Sequence, residues 1–372
     1  MSRRNQEPNK RENLTRREFV RDSVAAAAGI AAGVGTLGAS QTRAGEPAKT
    51  RSYNPDMKYR RLGKTGLWIS AVCMGGHWKR IETMAPRAMQ DGNWLGASLS
   101  DEDFKKNRYE VVTRCIESGI NYIDACTKGE VQAYAEALRG RRDKMFLGCS
   151  WYEEEMRNPN FQKTDALLGT IDKGLKEAGL EYADLWRITM HEQSGMHSKG
   201  QVEEMMKALE KARQQGKCRF TGFSSHDRPH IKWMIETFPE IVQVVVTPYT
   251  AKSKVRPLDS LFDAVRQYDV GVFGIKPFSS NAVFKGDGSL SSPTAEQDDR
   301  IARMAIRFIV ATDVITAPIP GLINTHQVDN VVQAVKEPDL NEAEAVELRQ
   351  TMDEAWAKLP ADYQWLKNWE YV

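Results

Sequence analysis

The residues that could do chemistry begin in the stretch GINYIDACTKGE, residues 119–130. An apolar run rich in β-branched and aromatic residues, 120–123, ends on Asp124, and Lys128 follows within one short turn. An ammonium beside a carboxylate can tune a proton donor, because a neighbouring charge shifts a pKa. The same two residues could equally form an ordinary ion pair in a loop, so both interpretations stay open here.

Eight mostly apolar runs follow one another along the chain, with helix-like segments between them. Apolar residues on both faces are typical of parallel strands covered by helices. The runs are residues 69–74, 120–123, 144–149, 183–190, 218–223, 241–246, 270–275 and 314–319. The segments with helical spacing are residues 163–178, 201–215, 257–267, 296–311 and 325–335.

This alternation predicts an α/β fold, a (β/α)8 TIM barrel over residues 57–340. No Gly-x-Gly-x-x-Gly follows the first run, which argues against a doubly wound dinucleotide-binding sheet. Residues 59–70, with Gly63 and Gly66, are predicted to form an N-terminal hairpin that plugs the barrel. Residues 341–372 are predicted to be a C-terminal helix and an aromatic tail.

The first 44 residues differ from the rest in charge and composition. They carry eight Lys/Arg and four Asp/Glu, a balance of +4 in a chain of net charge +2, so the remainder is at −2. Arg16 and Arg17 precede an Ala/Gly-rich run that is too weakly apolar for stable membrane insertion. The pattern predicts a twin-arginine signal peptide, with a disordered basic tail that contains an amphipathic helix as the alternative. Residues 45–56 are predicted to be a linker.

A signal of this type predicts that the twin-arginine export machinery is a partner and that the protein is periplasmic or extracellular. The near-neutral body excludes the electrostatic footprint of a nucleic-acid-binding protein. No CxxC spacing occurs among the five cysteines, so neither a disulfide framework nor a metal site is predicted. These cysteines are Cys73, Cys115, Cys126, Cys149 and Cys218.

In a barrel of this kind, function lies where the strands end at their carboxyl termini. The long segment 79–107, after the first run, is predicted to lie on the same face. The strand ends supply His77, Trp78, Asp124, Ser150, Trp151, His191, Ser224, Ser225, Tyr249, Lys276 and Gly321.

The chain resembles the aldo-keto reductase family. The resemblance rests on six stretches in order, YRRLGKTGLWISAVCMGG, GINYIDA, ADLWRITMH, GKCRFTGFSSH, GVFGIKPF and PIPGLINTHQVDN. It implies an enzyme that transfers hydride between a nicotinamide cofactor and a carbonyl or alcohol on a barrel without a Rossmann fold. The family places Asp, Tyr, Lys and His at four strand ends. The Tyr donates a proton, the Lys paired with the Asp lowers the Tyr pKa, and the His orients the carbonyl.

Two of these four catalytic positions are altered in this chain. Asp124 matches the family's Asp and His191 matches its His. Lys128 stands where the Tyr is expected, and Ser150 stands where the Lys is expected.

Three interpretations of the altered centre stay open. The site is rebuilt, with Lys128, Tyr152 or Tyr249 as the proton donor. Alternatively, bound nicotinamide serves other redox chemistry on a sugar-like hydroxyl, with His191 as the base. In the third interpretation, the barrel has lost reductase chemistry and binds a ligand without turnover.

The resemblance also implies a cofactor site and a substrate site. Ser224, Ser225 and Gln243 occupy places that hold the nicotinamide amide, and Lys276 that of a pyrophosphate contact. Gly321 and Asn324 belong to the adenosine-side loop. No basic residue among residues 324–327 matches the family's 2′-phosphate contact, so either NADP or NAD is expected.

The substrate is expected to be a small molecule, sugar-like if the aromatic residues at the mouth stack on it. The candidate contacts are His77, Trp78, Trp151 and Tyr249. Tyr363, Trp365, Trp369 and Tyr371 of the tail either join this surface or pack on the outer helices.

Overall fold

A hairpin opens the folded part of the chain. In the computed structural model, which describes residues 46–90, 93–253, 261–337 and 339–367, strand β1 (Tyr59–Arg61) pairs antiparallel with β2 (Trp68–Ser70). The Lys64 amide donates to the carbonyl of Asp269 at 2.6 Å, and Leu62 packs inside the barrel. The predicted plug is therefore confirmed, because it covers the amino-terminal ends of the strands.

Eight parallel strands form the barrel, in the order of the chain. They are β3 (Met74–Gly75), β6 (Tyr122–Ala125), β7 (Phe146–Cys149), β8 (Ala183–Thr189), β9 (Cys218–Ser224), β10 (Val244–Pro248), β11 (Gly271–Ile275) and β12 (Ala317–Pro318). A parallel bridge between Gly75 and Gly321 closes the ring. The predicted barrel is confirmed. The first predicted strand, residues 69–74, is split between two strands. Ile69 and Ser70 belong to the hairpin strand β2, and only Met74, together with Gly75, forms the barrel strand β3.

Helices cover the barrel between its strands. They are α1 (Glu102–Glu117), α2 (Lys128–Ala137), α3 (Thr164–Ala178), α4 (Lys199–Gln214), α5 (Arg228–Thr237), α6 (Leu261–Gln267), α7 (Ala295–Val310), α8 (Thr325–Lys336) and α9 (Glu342–Ala357). The predictions for 163–178, 201–215, 296–311 and 325–335 are confirmed, and of the predicted segment 257–267 the described part, 261–267, is helical whereas 257–260 lie outside the described residues. Gly216 follows α4 with a φ of +71°, as expected of a glycine that stops a helix. No helix among the described residues has the length and apolarity needed to span a membrane.

The long segment after β3 is folded rather than irregular. It contains strands β4 (Met89–Gln90) and β5 (Asn93–Ala97), which pair antiparallel, and β5 packs against α2. This hairpin lies on the face where the strands end, as the sequence predicts.

Alternation along the strands decides which side chains enter the barrel. Tyr122, on β6, faces inward and stacks on Phe273 with ring centroids 4.3 Å apart, whereas Ile123 packs outward among the helices. Because the side-chain period of a strand is two, Asp124 faces inward again. The barrel interior is therefore filled by aromatic and aliphatic side chains, and the Asp124 carboxylate lies above them, near the carboxyl-terminal rim.

The segment predicted to be a linker is attached to the barrel over its second half. The Thr50 hydroxyl donates to the Trp68 carbonyl at 2.7 Å, and Arg51 forms an ion pair with Asp184 at 3.1 Å. Residues 1–45 lie outside the described residues, so the predicted signal peptide stays a prediction.

Candidate active site

A buried ion pair lies at the rim of the barrel interior. Arg187 Nε donates to Asp124 Oδ1 at 2.8 Å, and Arg187 Nη2 contacts the other carboxylate oxygen. Both side chains are buried. Burial alone would lower the pKa of Arg187, but the Asp124 carboxylate raises it above its usual value. The Arg187 guanidinium therefore stays charged although it is buried.

The surroundings of the pair fix its geometry. The Tyr122 hydroxyl donates to Asp124 Oδ1 at 3.3 Å, and Arg187 Nη1 donates to the Thr189 hydroxyl at 3.0 Å. Gly148, beside Asp124 in the register, leaves room for both, since a Cβ there would lie 2.0 Å from the Tyr122 oxygen. The resemblance leads us to expect a lysine at position 150 as the cation beside Asp124. In this chain position 150 is a serine, and Arg187 is the cation beside Asp124.

Ser150 belongs instead to a separate buried network. Its hydroxyl contacts Glu155 and the Thr189 hydroxyl, the latter at 2.7 Å. The Glu155 carboxylate also accepts hydrogen bonds from the Trp151 amide and the Trp186 indole. Burial raises the pKa of Glu155, opposed by these hydrogen bonds. The network joins the ends of β7 and β8.

The position of Lys128 corrects the expectation that it acts beside Asp124. Lys128 is the first residue of α2, and its ammonium forms a half-exposed ion pair with Glu177 of α3 at 3.0 Å. No ion pair joins Lys128 and Asp124, both of which lie in the described part of the chain. Helix geometry directs the Lys128 side chain outward, away from the barrel mouth.

His191 lies two residues beyond the end of β8, on the rim. Its Nδ1 accepts a hydrogen bond from the Gln193 amide at 3.2 Å, and its Nε2 is 3.9 Å from Glu192. The side chain is 40% exposed. His191 is therefore available to a ligand at the mouth, whereas Asp124 lies below.

Lys276 occupies a central position at the mouth, just after β11. Four neighbours act on its charge, and they come from the segments after the first four barrel strands, namely Lys79, Cys126, Arg157 and Glu192. Burial, reinforced by the Lys79 ammonium, lowers the pKa of Lys276 to about 8. The structure thus brings an amine that can exchange a proton near neutrality to the centre of the mouth.

Three of the four predicted substrate contacts are buried in the protein. Trp78 donates to the Tyr134 hydroxyl at 2.7 Å and packs on it edge to face. Trp151 lies against Gly174, where a Cβ would lie 2.0 Å from the ring. Tyr249 is 2% exposed and packs on Phe262. These aromatic rings stabilise the barrel wall, which corrects the expectation of an open stacking surface.

His77, the fourth candidate, does lie at the mouth, with 38% of its side chain exposed. From the tail, Tyr363 packs close by, with the Lys79 ammonium 4.4 Å from its ring centroid. Trp369 and Tyr371 lie outside the described residues. Tyr152 is also on this face, and its hydroxyl accepts a hydrogen bond from Arg157 at 3.2 Å.

The residues predicted to hold the nicotinamide do not all lie at the rim. Ser224 ends β9 there, and Ser225 hydrogen bonds to the Ser194 hydroxyl at 2.7 Å. Gln243 precedes β10, and its side chain accepts from the Thr221 amide at 3.1 Å. Because Val246 is the residue paired with Ser224, Gln243 lies roughly 10 Å below the rim at 3.3 Å per residue. The prediction for Gln243 is therefore corrected by the register.

A cleft extends from the mouth between the loop after β11 and the start of α8. Its lining includes Gly321, Ile323 and Gln327 on one side, Phe278 on the other, and Arg80 at the edge. Gly321 also closes the barrel, so the cleft and the mouth share a wall.

Asn324 lies at the start of α8, beside this cleft. Its side-chain oxygen accepts from the Gln327 amide at 2.8 Å. The side-chain nitrogen of Asn324, Nδ2, is buried without a hydrogen-bond partner. A helix N-terminus with an unsatisfied donor suits an anionic group.

Backbone strain is concentrated around the mouth and the cleft. Six of the eight non-glycine residues with positive φ in the described part of the chain lie in the segments after β3 and β11. They are His77, Arg80, Lys276, Ser279, Ser280 and Asn281. Such conformations cost energy and persist mainly where function requires them.

Two chemically important residues escape the sequence patterns. Arg187 lies within an apolar strand run, where an inward-facing arginine at a period-two position is a signal that could have identified it. Glu130 lies on α2 but points back to the rim, where the Cys126 amide donates to it at 2.7 Å. Only the packing of α2 on the barrel reveals this direction.

Comparison with known proteins now identifies the class. The sequence profile described as the Aldo/keto reductase family matches residues 92–353, so the chain belongs to the aldo/keto reductase family of oxidoreductases. Among solved structures, the holo form of the aldo-keto reductase AKR11C1 from Bacillus halodurans superposes with a TM-score of 0.57 at 20% identity. That superposition covers 79% of this chain and 96% of the other.

Curated relatives share 20–30% of the residues over the matched segments. The L-glyceraldehyde 3-phosphate reductase of Escherichia coli is 20% identical over 79% of this chain and 92% of its own length. An uncharacterized oxidoreductase of Schizosaccharomyces pombe is 30% identical over 40% of this chain and 53% of its own. The aldo-keto reductase yakc [NADP(+)] of the same yeast is 24% identical over 53% of this chain and 59% of its own. The chain thus spans little more than half of the two yeast proteins.

Proposed function

We propose that the protein transfers hydride between a nicotinamide dinucleotide, NADP or NAD, and a carbonyl or sugar-like alcohol. The observation that carries this proposal is the cleft beside Gly321, which shares a wall with the mouth and ends at the N-terminus of α8. The family supports it, as do a relative named as a reductase and another named with NADP(+).

The cleft residues fit a dinucleotide. Phe278 and Ile323 provide apolar contact for a base, and the α8 N-terminus with Asn324 provides donors for a phosphate. Lys79 and Arg80 both line the cleft, and the Arg80 guanidinium is the better partner for a 2′-phosphate. The bound nicotinamide would supply or accept the hydride.

Lys276 is the proton donor in this proposal. It replaces the family's catalytic tyrosine, whose position is occupied by Lys128 in this chain. The central position of Lys276 lets it reach an oxygen bound at the mouth, and its lowered pKa suits proton exchange near neutrality. His191, exposed on the rim, would orient that oxygen. The Asp124–Arg187 pair lies below and holds the interior rigid and charged.

Lys276→Met tests the proton-donor role. Turnover is expected to fall by roughly 10²–10⁴-fold, while the shift in melting temperature given by saturating NADPH or NADH is kept. A ligand at 100 times its Kd stabilises by about 2.7 kcal/mol, which a thermal-shift assay detects. The control is Lys285→Met, an exposed lysine of the same loop.

The outcomes separate the alternatives. If Lys276→Met binds the cofactor more weakly but turns over at the wild-type rate at saturation, Lys276 contacts a phosphate of the cofactor and is not the proton donor. Wild-type protein that gives no shift with either nicotinamide would refute the proposed function. A shift without turnover of any carbonyl or alcohol would favour a barrel that binds a ligand without reductase chemistry.

We also propose that residues 1–44 direct export by the twin-arginine machinery, on the strength of Arg16 and Arg17 before the Ala/Gly-rich run. A reporter fused to these residues should reach the periplasm. It should stay in the cytoplasm when both arginines become lysine, as fractionation would show. Equal export of the two fusions would contradict the proposal.

A further inference from the structure

Three side chains of different chemistry meet where the first two barrel strands end. His77 follows β3, Cys126 follows β6, and Glu130 reaches back from the first turn of α2. Their ligand atoms all lie within 4.8 Å of one another. Cys126 Sγ is 3.5 Å from His77 Nδ1, and that nitrogen is 2.9 Å from Glu130 Oε1.

We propose that His77, Cys126 and Glu130 bind a divalent transition-metal ion of the zinc type. This goes beyond the proposed hydride transfer and does not depend on nicotinamide. Thiolate, imidazole and carboxylate are the ligands that zinc takes in proteins. Three protein ligands leave one tetrahedral position open to water or to an oxygen of a bound molecule.

The spacing of the ligand atoms fits a tetrahedral ion. Zn–S of about 2.3 Å and Zn–N of about 2.0–2.1 Å, at a tetrahedral angle, place sulfur and nitrogen about 3.5 Å apart. The observed Cys126 Sγ to His77 Nδ1 distance is 3.5 Å. The same geometry places nitrogen and oxygen about 3.3 Å apart, so Glu130 needs to move by only a few tenths of an ångström.

The backbone holds the carboxylate in place for this role. The Cys126 amide donates to Glu130 Oε2 at 2.7 Å, and the His77 amide donates to Oε1. Oε2 keeps a further lone pair for a metal, and Oε1 gains one when the His77 ring nitrogen that now contacts it binds the ion instead. A Cβ at Gly76 would lie 2.1 Å from the Glu130 carboxyl, so a glycine is required there. The φ of +55° at His77 adds strain that a ligand role would explain.

A metal ion explains the cluster better than a Cys–His–Glu nucleophile does. The sulfur is almost equally far from both ring nitrogens, 3.5 and 3.6 Å, so it is not in line with a single N–H, and the His77 ring must turn before one nitrogen points at an ion bound to the sulfur. A metal ion bound to Cys126 would itself deprotonate the thiol and supply the cation that the thiolate needs.

The charges near the cluster are compatible with a divalent ion. Glu130 and a Cys126 thiolate together carry two negative charges. The nearby Arg187 is neutralised by Asp124, and the lysines on this side of the mouth are Lys79 and Lys276.

Cobalt provides the probe, because a thiolate ligand gives Co²⁺ a charge-transfer absorption band and tetrahedral d–d bands. The full chain, purified without chelator or immobilised metal, is titrated with Co²⁺ and then with Zn²⁺ as competitor. Wild-type protein is expected to bind one equivalent, show both band types and melt at a higher temperature. Cys126→Ser is expected to lose the charge-transfer band.

The affinity of the variants gives the quantitative test. Loss of an outer partner of a metal ligand costs about 10–100-fold in affinity, so Cys126→Ser and His77→Ala are expected to lose more than about 100-fold. Cys218→Ala, a buried cysteine at the other end of the barrel, is the matched control and should bind like wild type. Circular dichroism of each metal-free variant checks that it is folded.

Two results would overturn the proposal. One is wild-type protein that takes up neither Co²⁺ nor Zn²⁺ and shows no change in melting temperature with either. The other is a folded Cys126→Ser variant that keeps the charge-transfer band, since the sulfur ligand would then be elsewhere.

Discussion

Arg187→Met is expected to destabilise the protein by about 3–5 kcal/mol, because it leaves the Asp124 carboxylate buried without its partner. Both side chains are close to fully buried. Two contacts join them, one of which is the hydrogen bond from Arg187 Nε to Asp124 Oδ1 at 2.8 Å. Urea unfolding followed by circular dichroism at neutral pH measures the change. The control, Arg266→Met, removes a half-exposed partner of Asp313 and should cost less than about 1 kcal/mol.

A double-mutant cycle separates the pair from its individual side chains. Asp124→Asn combined with Arg187→Met removes both charges and is expected to recover much of the loss, because no unpaired ion remains. Two losses that simply add would contradict direct coupling. If the double variant is folded, its turnover also shows whether the pair serves the chemistry or only the rigidity of the mouth.

Asp184→Asn is the second change with a large expected effect. Asp184 is fully buried at the amino-terminal end of the barrel, where it accepts from Arg142 at 2.7 Å, Arg219 at 2.8 Å and Arg51 at 3.1 Å. The variant leaves three guanidinium groups without their anion, so a loss of about 3–5 kcal/mol is expected. Asp172→Asn, which removes a half-exposed partner of Lys217, is the matched control.

The effect of Asp184 should depend on pH in a defined direction. Burial would raise its pKa, but Arg142, Arg51 and Arg219 hold it well below its usual value. A carboxylate with a depressed folded-state pKa stabilises the protein above its unfolded pKa of about 3.9, and this is lost as the pH falls. The gap in melting temperature between wild type and Asp184→Asn should therefore narrow below about pH 4. A gap that stays constant from pH 7 to pH 3 would contradict this assignment.

The barrel itself could be predicted because its signals are local. Each strand run is apolar on both faces and each helix has its own period, as in residues 163–178 before Gly179. The order of the units then leaves few topologies, since parallel crossovers are right-handed. Asp124 was identifiable for the same reason, because it ends a strand run in a fold whose strand ends carry function.

The partners within the site could not be predicted, because they depend on register and helix packing. The spacing in GINYIDACTKGE places Lys128 near Asp124 along the chain, but α2 begins at Lys128 and turns its ammonium to Glu177. The cation beside Asp124 is instead Arg187, two strands away in the barrel. Likewise, Gln243 misses the rim because β10 begins after it.

The sequence by itself therefore determined the fold, the functional face and one residue of the buried pair. Tertiary structure alone brought Arg187 to Asp124, placed Lys276 at the centre of the mouth, and joined His77 to Cys126 across 49 positions of sequence. The physical reason is that strand and helix periods are set by neighbouring residues. Which strand ends face each other is set by the closure and register of the whole barrel.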